Sequence, residues 1–170
     1  MNKKLYKCVF LDRDGVINED KGYISKIKDF KIFPGTAKAV KLLNNNNYLV
    51  ILITNQAGVG RGLISLKQLN LIHLYLKRVM KKNGAVIDDI FFCPYHPIYG
   101  IGKYKKKSED RKPGSGMIKK AIQKWKVNHK ESFMIGDKRT DLKSATGAKI
   151  KFYYKSKKKN LYNQIKQILK

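Results

Sequence analysis

The sequence predicts an α/β fold in which one parallel sheet is covered by helices on both faces. Three observations predict it. Short apolar runs alternate with helix-period segments from one end of the chain to the other. The runs are apolar enough to read as strands buried on both faces, as parallel sheets require. The informative polar residues follow the ends of those strands, where ligands sit in such sheets. The 170 residues fit a single domain, 1–170, with no internal repeat and no interdomain linker.

Taken in order, Tyr6 to Leu11 reads as the first strand, ended by the polar turn Asp12-Arg13-Asp14-Gly15. A helix over Ala37 to Leu43 follows the Pro34-Gly35-Thr36 entry, with Thr36 as its cap. Tyr48 to Ile53 is the second strand. A longer helix starts at Ser65, with Gln68 as capping-box partner and Leu69, Ile72, Leu76, Val79 and Met80 on its core face. Val86 to Phe92 is the third strand, Met117 to Trp125 a helix, Ser132 to Ile135 the fourth strand and Ile150 to Tyr154 the fifth. A closing helix turns Leu161, Ile165, Ile168 and Leu169 inward. Between Pro94 and Pro113 lies a stretch with no clear period, rich in Gly, Lys and Tyr. Loops of that length are usually functional or mobile.

Composition narrows the class. No apolar run is long enough to span a bilayer, so no membrane association is expected. The apolar stretch after Met1-Asn2-Lys3-Lys4 is cut short at Asp12, and no secretory signal is expected. Two cysteines, Cys8 and Cys93, form no framework and suit the cytoplasm. The net charge of +26 points towards a polyanion. Yet the excess is 33 Lys against 5 Arg, scattered along the chain beside an Asn44–Asn47 run. Groove readers favour the arginine fork. The lysines read as drift in an AT-rich genome, and no nucleic-acid partner is expected.

Four segments carry chemistry. In Asp12-Arg13-Asp14-Gly15, two acids one residue apart leave a buried strand, and a divalent cation would relieve their repulsion. Oxygen ligands of this kind suit Mg²⁺. Thr54-Asn55-Gln56 offers a hydroxyl and backbone N–H groups to phosphate oxygens. Arg111 and Lys112 offer a fork and a point charge to anionic groups. Asp137 again follows a buried strand, with Asp141 four residues on. Each alone has a bland reading as a solvated turn or a helix start. Together, in this order, they resemble the four motifs of the haloacid dehalogenase superfamily of phosphohydrolases over about the whole chain. The sequence is most similar to the compact, cap-less branch that acts on heptose bisphosphates and histidinol phosphate. The heptose side is closer, on Phe10–Asn18, Asp20–Tyr23, Thr54–Gln56, Gly60-Arg61-Gly62, Arg111-Lys112-Pro113 and Gly136-Asp137-Lys138.

The resemblance implies a three-layer Rossmann-like sheet without a large cap domain. It implies a Mg²⁺-dependent phosphatase acting on a phosphorylated small molecule, a sugar bisphosphate of cell-envelope sugar-nucleotide synthesis, and the single compact domain makes a monomer the default expectation. Asp12 would be the nucleophile and Asp14 the general acid and base. Mg²⁺ would be held by Asp12, the backbone carbonyl of Asp14, and Asp137, with Asp141 supporting from behind. Thr54, Asn55 and Lys112 would steady the phosphoryl group. Asp20, Lys21, Gly22, Tyr23, Gln56, Arg61, Arg111 and Lys138 would contact the rest of the substrate. Many relatives carry a structural zinc in the long loop. Here Cys93 remains, but Tyr95, Ser108 and Asp110 stand at the other positions and His96 is one place off, so no zinc is expected. His73 reads as a helix surface residue, His129 as solvated, Trp125 as core and Lys157-Lys158-Lys159 as a solvated turn. Competing functions are a histidinol-phosphate phosphatase, a 3′-phosphatase on nucleic-acid ends, and a non-catalytic basic binding protein.

Overall fold

A computed structural model describes residues 5–170 and contains one sheet of five parallel strands. The basic Met1–Lys4 stretch lies outside the described residues. The strands are β1 (Lys7–Leu11), β2 (Tyr48–Asn55), β3 (Asp89–Cys93), β4 (Phe133–Gly136) and β5 (Lys151–Tyr154). Their spatial order is β3-β2-β1-β4-β5. The chain runs outward from β1 to β3, then crosses back to β4 and β5. Strand order therefore reverses beside β1, and Leu11 pairs with Leu52 on one side and Ile135 on the other. That register brings the carboxyl ends of β1, β2 and β4 to one rim, at the switch point where such sheets bind ligands.

Among the described residues six α-helices flank the sheet: α1 (Thr36–Asn45), the single turn α2 (Ala57–Gly60), α3 (Leu66–Lys82), α4 (Gly116–Trp125), α5 (Arg139–Gly147) and α6 (Leu161–Ile168). The pleat sends Val9 and Leu11 to one face, against Ala39, Val40 and Leu43 of α1, Ile72, Leu76 and Met80 of α3, and Leu161 and Ile165 of α6. Cys8 and Phe10 face the other way, against Met117, Ile118 and Ala121 of α4 and Ala145 of α5. All four strand side chains are fully buried. A large apolar side chain buried so completely contributes about 1.5–3 kcal/mol. The sheet's middle holds the fold, which leaves its rim free to carry polar groups.

The structure corrects three local expectations. Thr36 does not cap α1; Gly35, at φ 82°, stands at the N-cap. Thr36 is the first helical residue, and its hydroxyl donates to the Ile17 carbonyl at 3.4 Å. The third strand begins at Asp89, not Val86, because Asp88 pairs by its side chain: Val50 N–H donates to Asp88 Oδ2 at 2.7 Å. A helix, α5, follows β4, where the sequence pattern offers a helix start only as the bland reading of the Asp137–Asp141 segment. The Ser65–Gln68 capping box forms as expected, with Gln68 N–H donating to Ser65 Oγ at 3.1 Å and Ser65 N–H to Gln68 Oε1 at 2.7 Å.

Candidate active site

The first residue past β1 is Asp12, and its backbone N–H is tied to the Ile135 carbonyl of β4 at 3.1 Å. Its side chain is 8% exposed. Lys112 comes from the far end of the long loop, and its ammonium, 3% exposed, stands 2.8 Å from Asp12 Oδ1, 2.6 Å from Asp141 Oδ1 and 3.0 Å from the Ile53 carbonyl. Asn55 fixes the lysine there: its side chain accepts from Lys112 N–H and donates to Lys112 O, both at 3.0 Å. Asp141 is fully buried on α5, and Lys138 N–H donates to its Oδ2 at 3.0 Å, which ties the first turn of that helix.

Asp12, Asp137 and Asp141 each present a carboxylate oxygen within 4.8 Å of the others. Three carboxylates around one ammonium leave uncompensated negative charge. Asp137 Oδ1 is buried without a hydrogen-bond partner. Burial pushes the Asp12 carboxyl up, to about 7, against the pull of Lys112 and with Asp141 and Asp14 adding to the rise. Burial raises Asp137 too, opposed by Lys138 and assisted by Asp141. Burial alone would lower Lys112, but the charges of Asp12 and Asp141 carry it above its ordinary value. Hard, crowded, under-compensated oxygen donors are what a divalent cation such as Mg²⁺ requires. Among the described residues this is the only such group of acids, histidines or thiols.

Asp14 points elsewhere. Its carboxylate receives Arg13 Nε at 3.2 Å and Nη2 at 2.8 Å, Asn18 Nδ2 at 2.8 Å and Gln56 Nε2 at 2.8 Å. Gln56 also donates to the buried Thr54 hydroxyl at 2.9 Å, which couples the ends of β1 and β2.

A cleft of about 360 Å³ is lined by Asp12, Asp14, Thr54, Asn55, Gln56 and Lys112, while Asp137 and Asp141 are not among its lining residues. Asp20, Gly22, Tyr23, Arg111, Lys138 and Thr140 form its walls. Asp20 accepts from Lys138 Nζ at 2.7 Å and from Gly22 N–H at 3.1 Å, so two expected substrate contacts are already paired across the rim. Arg111 donates to the Tyr95 carbonyl at 3.2 Å. Lys21 and Arg61 do not line the cleft. Lys21 pairs with Glu19 at 3.0 Å, and Arg61 lies between the rings of Tyr23 and Tyr99, at 5.2 and 5.0 Å.

Sequence reasoning missed Thr140, Asn18 and Arg13, and it misplaced His73. That histidine is 8% exposed and faces Arg13 Nη1 at 3.2 Å, so it is not a surface residue. The signal was present: 69, 72, 73, 76 and 80 follow the spacing of one buried helical face.

Comparison with known proteins agrees with this geometry. Residues 98–155 match the model of the haloacid dehalogenase-like hydrolases. A D-glycero-beta-D-manno-heptose-1,7-bisphosphate 7-phosphatase of Haemophilus ducreyi is 40% identical over 85% of this chain and 80% of its own length. A D-glycero-alpha-D-manno-heptose-1,7-bisphosphate 7-phosphatase of Burkholderia mallei is 40% identical over 84% of this chain and 75% of its own. The crystal structure of a D,D-heptose 1,7-bisphosphate phosphatase from B. bronchiseptica, complexed with magnesium and phosphate, superimposes with a TM-score of 0.81. It is 27% identical and covers 96% of this chain and 98% of that one.

Proposed function

The chain belongs to the haloacid dehalogenase-like hydrolases, among the heptose bisphosphate phosphatases, and on that premise we propose that Asp12 is its covalent nucleophile. The substrate in this reading is a D-glycero-D-manno-heptose 1,7-bisphosphate, cleaved at the 7-phosphate that the relatives' names specify. Those names divide between the two anomers, so the anomer is left to experiment.

The observation that carries the reading is the meeting of Asp12, Asp137 and Asp141 beside the single buried ammonium of Lys112. A carboxylate oxygen of Asp12 attacks phosphorus, and the bond from phosphorus to the sugar oxygen breaks. Asp14 gives that oxygen its proton and then takes one from the water that attacks the aspartyl phosphate. Release of phosphate restores the Asp12 carboxylate. Lys112 and the Thr54 hydroxyl steady the phosphoryl oxygens in flight. Mg²⁺ held by Asp12, Asp137 and the Asp14 carbonyl, with Asp141 behind, would offset the repulsion between carboxylate and phosphate.

No helix among the described residues is long and apolar enough to cross a membrane. Cys8 and Cys93 are free and buried, which supports a cytoplasmic enzyme. The reading includes no structural zinc, and contacts made by the long loop support it. His96 N–H donates to Tyr104 O at 3.1 Å, Ile101 N–H to Gly60 O at 2.8 Å, and Lys106 lies 4.2 Å over the Tyr95 ring. A single compact domain is proposed to act as a monomer.

Phosphate release is to be measured, with and without Mg²⁺, from heptose bisphosphate, histidinol phosphate and a 3′-phosphorylated oligonucleotide. Mg²⁺-dependent release fastest from the heptose is expected, and Asp12→Asn should lower it roughly a thousandfold or more. Retained activity in that variant, or preference for the oligonucleotide, would contradict the reading.

A further inference from the structure

Between the two acids of the first motif sits Arg13, the largest fully buried side chain among the described residues. Each of its three guanidinium nitrogens has a partner. Nε and Nη2 form a fork on Asp14, Nη1 faces His73 Nε2 at 3.2 Å, and the Phe30 ring lies 5.5 Å from the guanidinium carbon. An arginine has donors only, so the His73 nitrogen that meets it must be an acceptor. The imidazole is therefore neutral, with its proton on Nδ1. Burial, followed by the charges of Arg13 and Lys77, lowers His73 to about 3 and so favours the neutral ring. Phe92 packs edge-on to that ring at 5.9 Å, which limits its rotation.

The result is a chain of contacts from the core face of α3 to the cleft: His73 holds Arg13, and Arg13 holds Asp14. Asn18 and Gln56 complete the hold, each at 2.8 Å. A carboxylate gripped from three sides has one orientation, and proton transfer depends on such orientation. Resting on the reading of Asp14 as the general acid, we propose that His73 is a positioning residue for that reaction. It acts through Arg13 to hold the Asp14 carboxyl group in the one orientation from which it gives and then retakes a proton.

A bystander in the core and a positioner of the acid differ in one respect. Expelling an alkoxide needs the acid, whereas expelling a nitrophenolate scarcely does. The experiment compares kcat on a sugar phosphate with kcat on 4-nitrophenyl phosphate, at saturating Mg²⁺, for the intact protein and four variants. Asp14→Asn calibrates the effect and should lose far more on the sugar phosphate. His73→Leu keeps the volume but not the acceptor. It should lose roughly tenfold on the sugar phosphate and less than about twofold on the aryl ester. His73→Gln, whose amide oxygen accepts, should recover most of that loss. Should His73→Leu not fold, Arg13→Lys keeps the buried charge without the fork and should show the same selective loss. Equal losses on both substrates, or none, in the folded His73 or Arg13 variants would overturn the proposal. If Asp14→Asn itself shows no selectivity, the reading of Asp14 is what fails, and the two failures are thereby told apart.

Discussion

At Gly15 the backbone turns with φ at 85°, a region that costs other residues about 1–2 kcal/mol. A Cβ there would also collide with the Asp137 carboxylate. The glycine thus lets the first motif close against the fourth, and it brings two acids 125 positions apart in sequence to one place. Gly15→Ala is expected to fold less stably and to displace Asp137, so that half-saturation requires roughly 10–100-fold more Mg²⁺. Activity titrated against Mg²⁺ checks this, and an unchanged requirement would show that Asp137 is not a ligand. At this scale much of the site was legible: Asp12 and Asp137 directly follow strands, Thr54 lies at the end of one, and Lys112 comes after the long loop, in the expected order. What could not be read was which partner each residue takes. Lys138 and Asp20 pair with each other, and Arg61 lies between two tyrosine rings. Those choices depend on loop paths that no local pattern encodes.

At the scale of elements, periodicity served where side chains are apolar and failed where they are not. The strands and α3 announce themselves through Ile, Leu and Val. Helix α5 buries Asp141, Ser144 and Ala145, two of them polar and the third small, so it carries no apolar stripe. Helix α3 has a further consequence. His73 on its buried face titrates well below an unfolded histidine, near 3 against about 6.5. Between those values the unfolded chain binds a proton that the folded one refuses, so stability falls as pH falls from about 6.5 towards 3. The slope from this one group is about 1.4 kcal/mol per pH unit. Denaturant unfolding at several pH values should show that slope reduced by about this amount in His73→Gln. Parallel pH dependence in the two proteins would mean that the ring is not buried in its neutral form.

For the molecule as a whole, the charge of +26 was the feature most open to misreading. Among the described residues, the cations buried with acids are Lys112, on Asp12 and Asp141, and Arg13, on Asp14. A positive charge of this size favours the approach of anions in general, without selecting one place on the surface. The parallel sheet and its two covering layers were legible because alternation of strand and helix leaves few topologies. The long loop was not, since contacts such as Arg111 to Tyr95 are set by three-dimensional fit alone. The central claim is that phosphorus is bonded to residue 12 during turnover. Quenching the protein during hydrolysis with Mg²⁺, reducing it with borohydride and mapping its peptides by mass tests this most directly. An acyl phosphate is reduced to an alcohol, so homoserine is expected at position 12, and only when both substrate and Mg²⁺ were present. Steady phosphate release with an unmodified Asp12, or homoserine at another acid, would contradict the account.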